Sequence, residues 1–278
     1  MNKVTLIIPD IHLKWEMVDK IIAAVKHDEI IFLGDFFDDF NDTPGMVASM
    51  CDWLEASVKH ENRIHLFGNH DVHYAFPYKK MKCSGYDQWK YFMIYDRLPR
   101  HVWDKFKWYH FLDNTFLLTH AGLHVGNLPS EIRKTYEDRP KFYKLIANYL
   151  DEETIRCIRE TADGRSSWMF NAGAYRGGER DIGGIIWCDH IHEFKPIRGL
   201  HQIYGHTPST TGNASWININ EKNHHSNMIY ADKWQPKGFG DVKTSFNLDL
   251  DVAFNMHYAT WDGETLKVDA FGGKDLYL

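Results

Sequence analysis

The chain has 278 residues, of which 44% are hydrophobic and 25% charged, and these fractions are typical of a globular protein with a sizeable core. Its formal net charge of −6 disfavours nucleic acid as an obligatory partner. The four cysteines form no C-x-x-C pair, which favours reduced thiols. The apolar run in the opening MNKVTLIIPD is too short for a signal peptide. No apolar run in the sequence reaches the ~18 residues of a membrane span. We therefore expect a soluble cytoplasmic protein without a membrane partner.

Short apolar runs rich in β-branched and aromatic residues predict five buried strands along the chain. These runs are VTLIIP at 4–9, EIIFLG at 29–34, RIHLFG at 63–68, TFLLT at 115–119 and HQIYG at 201–205. Apolar residues at helical spacing predict a helix between the first two strands. A second helix is predicted at 42–60, with Thr43 as its N-cap and Pro44 at its first position. This alternation favours a mainly parallel sheet in the first half.

The remaining segments predict one domain, residues 1–278, with two insertions. Residues 75–114 are aromatic and mostly helical by pattern, and residues 212–242 resemble a long surface excursion. Two or three helices are expected within 129–162, and a glycine-rich loop at 171–184. The tail predicts a strand and then a hairpin that turns at Asp262-Gly263.

Each of the five predicted strands ends in an aspartate, asparagine or histidine. In open α/β sheets the functional crevice lies at the carboxyl ends of the strands, so these side chains are expected to meet. Carboxylate, imidazole and amide oxygen without thiolate suit borderline or hard divalent ions such as Mn²⁺, Fe²⁺ or Zn²⁺. Two such ions form a common device for hydrolysing phosphate esters. The residues concerned are Asp10, His12, Asp35, Asn69, His120 and His206.

Five short motifs resemble, in order, those of the calcineurin-like metallophosphoesterases. They are DIH at 10–12, GDFFD at 34–38, GNHD at 68–71, THAG at 119–122 and GHTP at 205–208. The resemblance implies an α/β fold with a central β-sandwich flanked by helices. HAGL at 120–123 and IIWCD at 185–189 resemble the phosphoprotein phosphatase branch, which includes the symmetrical dinucleoside tetraphosphate hydrolases.

The resemblance also implies two divalent metal ions, with Mn²⁺ favoured and Fe or Zn as alternatives. Asp10 and His12 would bind the first metal and Asp35 would bridge both. The second metal would be completed by Asn69, His120 and His206. A metal-bridging hydroxide is the expected nucleophile. His70 is the expected general acid, held by Asp38, and Asp71 is expected to support the turn.

One departure from the branch concerns the grip on substrate phosphate. The branch usually has arginine directly after the aspartate of the second motif, where this chain has Asp39. A phosphate-binding arginine must therefore come from elsewhere. The candidates are Arg176, Arg180 and Arg198.

We expect metal-dependent hydrolysis of a phosphorylated substrate, a phosphoprotein or a nucleotide. The first hypothesis is a phosphomonoesterase of the Ser/Thr protein phosphatase type. The alternative is a hydrolase of dinucleoside polyphosphates or other nucleotide anhydrides, with the 75–114 insertion gripping the base. A non-catalytic binding module on the same fold is a third hypothesis, which the intact ligand set and His70 disfavour.

Overall fold

The computed structural model describes residues 3–39, 41–207, 215–218, 244–247 and 256–271, which form two five-stranded sheets with helices packed around them. The strands are β1 (Thr5–Ile8), β2 (Glu29–Phe32), β3 (Arg63–His65), β4 (His110–Leu112), β5 (Phe116–Leu118), β6 (His201–Tyr204), β7 (Ser215–Asn218), β8 (Thr244–Asn247), β9 (Met256–Trp261) and β10 (Leu266–Phe271). The first sheet has the order β10-β9-β1-β2-β3, and the second has the order β4-β5-β6-β8-β7.

Parallel pairing in both sheets brings several strand ends to the same edge. In the first sheet β1, β2 and β3 are parallel, with Ile7 opposite Ile31 and Ile31 opposite Ile64. In the second sheet β5 is parallel to β6, with Leu117 opposite Gln202. The predicted parallel half-sheet is confirmed, and the hairpin β9–β10 extends it through an antiparallel pairing with β1.

The helices are α1 (Trp15–Ala24), α2 (Pro44–Ser57), α3 (Asn69–Ala75), α4 (Gln88–Arg97), α5 (Arg100–Trp103), α6 (Ser130–Arg133) and α7 (Arg139–Ala162). The predicted α2 begins as expected, because the Thr43 hydroxyl accepts a hydrogen bond from the Met46 N–H at 3.4 Å and Pro44 is the first helical residue. Two helices lie within 129–162, in agreement with the expected two or three, and the second spans residues 139–162. No glycine or proline interrupts this segment beyond its first turn, and it forms one helix of 24 residues.

Alternate residues of each central strand pack into different layers of the core. Ile7 and Ile31 lie between the two sheets, together with Phe116 and Ile203 of the second sheet. Their neighbours in sequence, such as Ile8, face the large cluster that includes the buried faces of the helices. This arrangement confirms the predicted α/β sandwich flanked by helices, and it follows from the two-residue period of a strand.

The two predicted insertions differ in how far they are described. Residues 75–114 contain α4, α5 and a 3₁₀ turn at Lys79–Met81, and they end in β4. Residues 212–242 lie outside the described residues except for β7. The single-domain organisation with these insertions stays a prediction.

Candidate metal centre

The turns after five strands carry the predicted site residues to one edge of the sandwich. They follow β1, β2 and β3 of the first sheet and β5 and β6 of the second. Residues up to 196 positions apart in sequence meet there. The eight residues are Asp10, His12, Asp35, Asp38, Asn69, His70, His120 and His206.

Four of these residues have a left-handed backbone that non-glycine residues seldom adopt. The φ angle is 44° at His12, 52° at Asp35, 63° at Asp38 and 76° at His206. Such conformations cost of order 1–3 kcal/mol each and persist where the surrounding structure imposes them. The turns at the strand ends are therefore strained at the positions that the motifs single out.

Two glycines and Asp71 shape the turn around Asp35. Gly34 has a φ of 114°, and a Cβ there would collide with the backbone of Gly68. A Cβ on Gly68 would in turn collide with the Asp35 carboxylate. The Asp71 carboxylate accepts hydrogen bonds from the N–H groups of Asp35 and Phe36 at 2.8 Å and from that of Gly68 at 2.9 Å. Asp71 thus supports the turn, as expected, and both motif glycines are required by close approach.

The densest group of candidate ligand atoms surrounds Nε2 of His120. This atom lies 3.0 Å from Oδ1 of Asn69, 3.2 Å from Nδ1 of His206 and 3.2 Å from Oδ2 of Asp35. His120 and Asn69 are fully buried, and Asp35 is 2% exposed. Asp35, His120 and His206 each offer a ligand atom within 4.8 Å of the others, a spacing that a metal ion can occupy.

Backbone carbonyls orient two of the imidazoles. Nδ1 of His120 donates to the Leu33 carbonyl at 3.0 Å, and Nδ1 of His12 donates to the Asp38 carbonyl at 2.6 Å. In a neutral ring this leaves Nε2 with a free lone pair, the state that a metal ligand requires. Nε2 of His12 lies 3.8 Å from Oδ2 of Asp35, on the shared carboxylate.

Two buried polar atoms at the centre have no hydrogen-bond partner among the described residues. They are Oδ1 of Asp10 and Nε2 of His206. The other oxygen of Asp10 accepts from the backbone N–H of His206 at 2.8 Å, which joins the turns after β1 and β6. An unsatisfied buried oxygen and an unsatisfied ring nitrogen next to converging lone pairs fit a cation, and the oxygen and nitrogen donor set fits a borderline or hard divalent ion.

The buried carboxylates at the centre also favour a bound cation. Burial raises the pKa of Asp10 and would raise that of Asp35, but His120 and His70 hold the pKa of Asp35 well below its ordinary value. Burial would lower the pKa of His120, but the Asp35 and Asp10 carboxylates raise it to about 9. A proton on His120 therefore compensates the buried carboxylates where a metal would otherwise do so.

His70 and Asp38 form a hydrogen-bonded pair beside the metal ligands. Nδ1 of His70 lies 2.9 Å from Oδ2 of Asp38, and its backbone N–H donates to Oδ1 of Asp35 at 2.8 Å. Burial would lower the pKa of His70, but the Asp35 charge and the bond to Asp38 raise it well above its ordinary value. A protonated imidazole with an orienting carboxylate is the arrangement of a general acid.

Asp38 has three further partners that the sequence did not indicate. Tyr74 donates its hydroxyl at 2.6 Å, Lys90 its ammonium at 2.7 Å, and Nε2 of His73 lies 3.1 Å away. His73 falls three residues after His70 on α3, a spacing that places both rings on one side of the helix. No sequence pattern marks Lys90 as a neighbour of the site. It lies 52 residues from Asp38, in a segment whose aromatic residues at helical spacing predict only a helix packed against the core.

Cys83 is a second neighbour that sequence reasoning missed. Its Sγ lies 3.2 Å from Nδ1 of His73 and 3.8 Å from Nδ1 of His70. Burial would raise the pKa of this thiol, but the two histidines lower it to about 7. All four cysteines are free, as the sequence predicts.

The three candidate arginines have different surroundings. Arg176 pairs with Asp189 at 3.0 Å, and its charge contributes, after burial and His120, to a lowered pKa at His206. Arg198 lies over the Tyr136 ring at 4.3 Å, and Arg180 is exposed. Of the three, Arg176 is the one whose charge acts on a residue of the metal centre, His206.

The IIWCD segment packs directly against the centre. The Trp187 ring meets the His206 ring edge-on, with centroids 5.5 Å apart, and Asp189 holds Arg176. Trp187 also lines a small cavity of about 160 Å³, together with Lys80, Lys82 and the glycine-rich loop at 171–184. This cavity adjoins the centre through the tryptophan.

A layered sandwich with potential metal ligands at its strand ends is consistent with the class of metal-dependent hydrolases. The sequence model of the calcineurin-like phosphoesterase family matches residues 4–210. The chain belongs to this family, whose members use divalent metals, and it is a metal-dependent phosphoester hydrolase. Its substrates are accordingly phosphorylated compounds.

Two solved structures have a similar fold. A metallophosphoesterase from Sphaerobacter thermophilus gives a TM-score of 0.50 at 12% identity, covering 99% of this chain and 90% of its own. A point mutant of a cold-active protein tyrosine phosphatase gives a TM-score of 0.50 at 11% identity, covering 97% of this chain and 80% of its own. No curated protein matches the chain in sequence. Within the described residues, no helix combines the length and the apolar character needed to cross a bilayer.

Proposed function

We propose that the protein is a dinuclear phosphomonoesterase of the Ser/Thr protein phosphatase type, acting in the cytoplasm with Mn²⁺. The observation that supports this most is the convergence of Asp35, Asn69 and His206 on Nε2 of His120, with contacts of 3.0–3.2 Å. Asp10 and His12 would hold the first metal with Asp35, and Asp35 would also complete the second site with Asn69, His120 and His206. When bound, the pair of metals would lower the pKa of a water molecule and polarise the phosphoryl oxygens.

The chain's own residues would then handle the proton and the anion. His70, oriented by Asp38 at 2.9 Å, would donate its proton from Nε2 to the leaving oxygen, because Nδ1 faces the carboxylate. Arg176, held by Asp189 at 3.0 Å, would contact the substrate phosphate in place of the arginine that Asp39 replaces.

The surroundings of the centre support a simple monoester. The cavity beside Trp187, which none of the metal-centre residues lines, has a volume of about 160 Å³, so it offers a nucleoside less room than the ~300–1,000 Å³ of usual small-molecule sites. A phosphorylated side chain requires only that its phosphate reach the metals, whereas a dinucleoside polyphosphate needs room for its bases. The packing of Trp187 on His206 further supports the protein phosphatase branch, since Trp187 belongs to the segment that resembles it.

The test compares wild type with His70→Asn after Mn²⁺ loading. We expect kcat for p-nitrophenyl phosphate to fall at least ~100-fold in the variant, because the proton donor is lost, while the metal content measured by elemental analysis stays the same. His27→Asn is the matched control, since the described contact of His27 is with the Val25 carbonyl. An unchanged kcat in His70→Asn would remove His70 from the mechanism.

Substrate class is tested in the same preparation. The proposal expects a higher kcat/KM for a phosphoserine or phosphothreonine peptide than for diadenosine tetraphosphate. Faster cleavage of the dinucleotide would contradict the monoesterase, and no turnover with any divalent ion would contradict hydrolysis altogether.

A further inference from the structure

A larger cavity lies along β3, and none of the residues that line it belongs to the metal centre. Its volume is about 570 Å³, within the usual range of ~300–1,000 Å³ for small-molecule sites. It is formed by the turn after α2, by β3, and by α5 with the segment that follows it. Arg63 at its wall precedes Asn69 by six residues along a strand and its extension, a separation of up to ~20 Å.

The lining of this cavity is strongly basic in an otherwise acidic molecule. Four cationic side chains line it, and only one carboxylate, that of Glu61, does so. The whole chain has a formal net charge of −6, so the positive charge of the cavity lining is opposite in sign to that of the chain. The four cations are Lys59, Arg63, Lys105 and Lys107.

Three of the four cations have no carboxylate within ion-pair distance among the described residues. Lys59 pairs with Glu55 at 3.3 Å on α2, an exposed contact of small energetic weight. Arg63, Lys105 and Lys107 take part in no such pair in the described part of the chain. Like charges gathered without counter-ions repel one another, so an anion in the cavity would relieve this repulsion.

The guanidinium of Arg63 is held in place by neutral groups. It donates to the Ser57 hydroxyl at 3.1 Å, and that hydroxyl lies 2.9 Å from Nε2 of His65. Burial, Arg63 and His60 lower the pKa of His65 to about 3, so this imidazole is neutral. Burial also lowers the pKa of Arg63, although the Asp19 charge opposes this. A partly desolvated guanidinium without a bound carboxylate is well suited to bind an anion.

The opposite wall is fixed by backbone bonds. The Lys107 N–H donates to the His65 carbonyl at 2.8 Å, and the Phe67 N–H donates to the Lys107 carbonyl at 2.9 Å. Lys107 is therefore attached to the edge of β3, so its ammonium group and the Arg63 guanidinium project from neighbouring, rigidly joined segments. The cavity is preorganised in its backbone rather than formed by a loose loop.

We propose that this cavity is a second binding site, separate from the metal centre, for a small molecule that carries a diphosphate or triphosphate group. A linear di- or triphosphate presents several charges within a short distance, which suits four cations around one space. A long nucleic acid fits less well, because the acidic remainder of the surface would repel its extended backbone. Free polyphosphate and the phosphate tail of a nucleotide share this chemistry.

The first experiment measures binding to the metal-free protein by isothermal titration calorimetry. The probes are tripolyphosphate, adenosine triphosphate, adenosine and a single-stranded oligonucleotide. We expect one saturable site for tripolyphosphate and adenosine triphosphate and none for adenosine. Adenosine triphosphate binding at least ~10-fold tighter than tripolyphosphate would identify a nucleotide as the source, and equal affinities would identify the phosphate group alone.

Variants then locate the site. Lys105→Gln combined with Lys107→Gln should weaken tripolyphosphate binding at least ~10-fold, because two of the unpaired cations are removed. Arg63→Gln should do the same while keeping a donor for Ser57, and it serves as a second variant if the pair disturbs folding. Lys144→Gln, an exposed lysine on α7 away from the cavity, is the matched control and should bind as wild type does.

Three results would overturn the proposal. One is the absence of saturable tripolyphosphate binding at millimolar concentration. Another is a loss of binding in Arg176→Gln, near the metal centre, with no loss in the cavity variants. The third is tighter binding of the oligonucleotide than of tripolyphosphate. None of these results depends on phosphatase activity, so the proposed function is tested separately.

Discussion

Asp38 is the acid with the most partners near the metal centre. His70, Tyr74 and Lys90 approach its oxygens at 2.9, 2.6 and 2.7 Å, and His73 lies 3.1 Å away. Burial would raise the pKa of Asp38, but His70 and His73 hold it well below its ordinary value. The carboxylate therefore stays ionised, and its position beside His70 is held by three buried residues, Tyr74, Lys90 and His73.

Lys90 is the partner whose removal tests this network. Its side chain is buried and also contacts Asp42 at 2.6 Å, so Lys90→Met leaves two carboxylates without their shared cation. We expect the free energy of unfolding, from urea denaturation, to fall by about 1–3 kcal/mol. Lys80→Met, at an exposed lysine in the same insertion, should change it by less than about 0.5 kcal/mol. Equal stability of the two variants would contradict the structural role of Lys90.

His124, a buried histidine that is not among the candidate metal ligands, is expected to cause a loss of stability in acid. Burial and Lys195 lower the pKa of His124 to about 4, against 6.5 in the unfolded chain. Between pH 6.5 and pH 4 the unfolded state binds a proton that the native state does not. The contribution of His124 to the free energy of unfolding is therefore fully present above pH 6.5 and is lost as pH falls toward 4. At pH 5 the resulting loss in the free energy of unfolding amounts to about 2 kcal/mol.

The variant His124→Asn isolates that contribution. The His124 ring accepts from the Gly126 N–H at 2.8 Å, and an asparagine oxygen can replace this acceptor without titrating. We expect the loss in unfolding free energy between pH 7 and pH 5 to be about 2 kcal/mol smaller in the variant than in wild type. Identical pH dependence in urea denaturation would show that His124 does not titrate as inferred.

At the scale of secondary structure, α2 shows how much a local signal can specify. Thr43 and Pro44 predict the first turn because a hydroxyl can satisfy an N–H that has no helical partner, and because proline needs none. The helix indeed begins at Pro44. In contrast, the sequence left open whether two or three helices lie within 129–162, and α7 continues to Ala162 as one helix, with Arg156 paired to Glu153 and to Glu160 along it. Such pairs at three- and four-residue spacing stabilise a helix without marking its ends.

The cap of α2 provides a prediction for this element. Thr43→Ala removes the acceptor for the Met46 N–H, and we expect a loss of about 0.5–1 kcal/mol in unfolding free energy, near the lower end because the bond is 3.4 Å long. Thr43→Ser keeps the hydroxyl and should remain within about 0.3 kcal/mol of wild type. If alanine and serine are equally stable in urea, the cap makes no contribution.

At the scale of the whole molecule, the candidate metal centre joins the two sheets. Asp10 and Asp35 follow strands of the first sheet, whereas His120 and His206 follow strands of the second. The bond from the His206 N–H to Asp10 at 2.8 Å already links them. A ligand that binds only this folded arrangement must stabilise the sandwich as a unit.

We therefore expect the addition of Mn²⁺ to raise the thermal stability of the protein. At a Mn²⁺ concentration of ~100 Kd the folded state gains about 2.7 kcal/mol, which raises the Tm by roughly 5 °C or more in a chain of this size. Asp35→Asn should lose metal occupancy in elemental analysis and most of this increase, because the shared carboxylate is removed. Asp52→Asn, at an exposed aspartate of α2, is the control and should respond as wild type does. A full Tm increase in Asp35→Asn would contradict the bridging role.

The sequence by itself determined the five strands that lead to the metal centre, the α2 cap and the polar residues at the strand ends, because each depends on neighbours a few positions away. The tertiary structure decided which arginine lies near His206, that Lys90 supports Asp38, and that four cations gather around one cavity along β3. These contacts join residues that are distant along the chain, and their proximity depends on strand order and on how the two sheets and their helices pack. No local pattern contains that information.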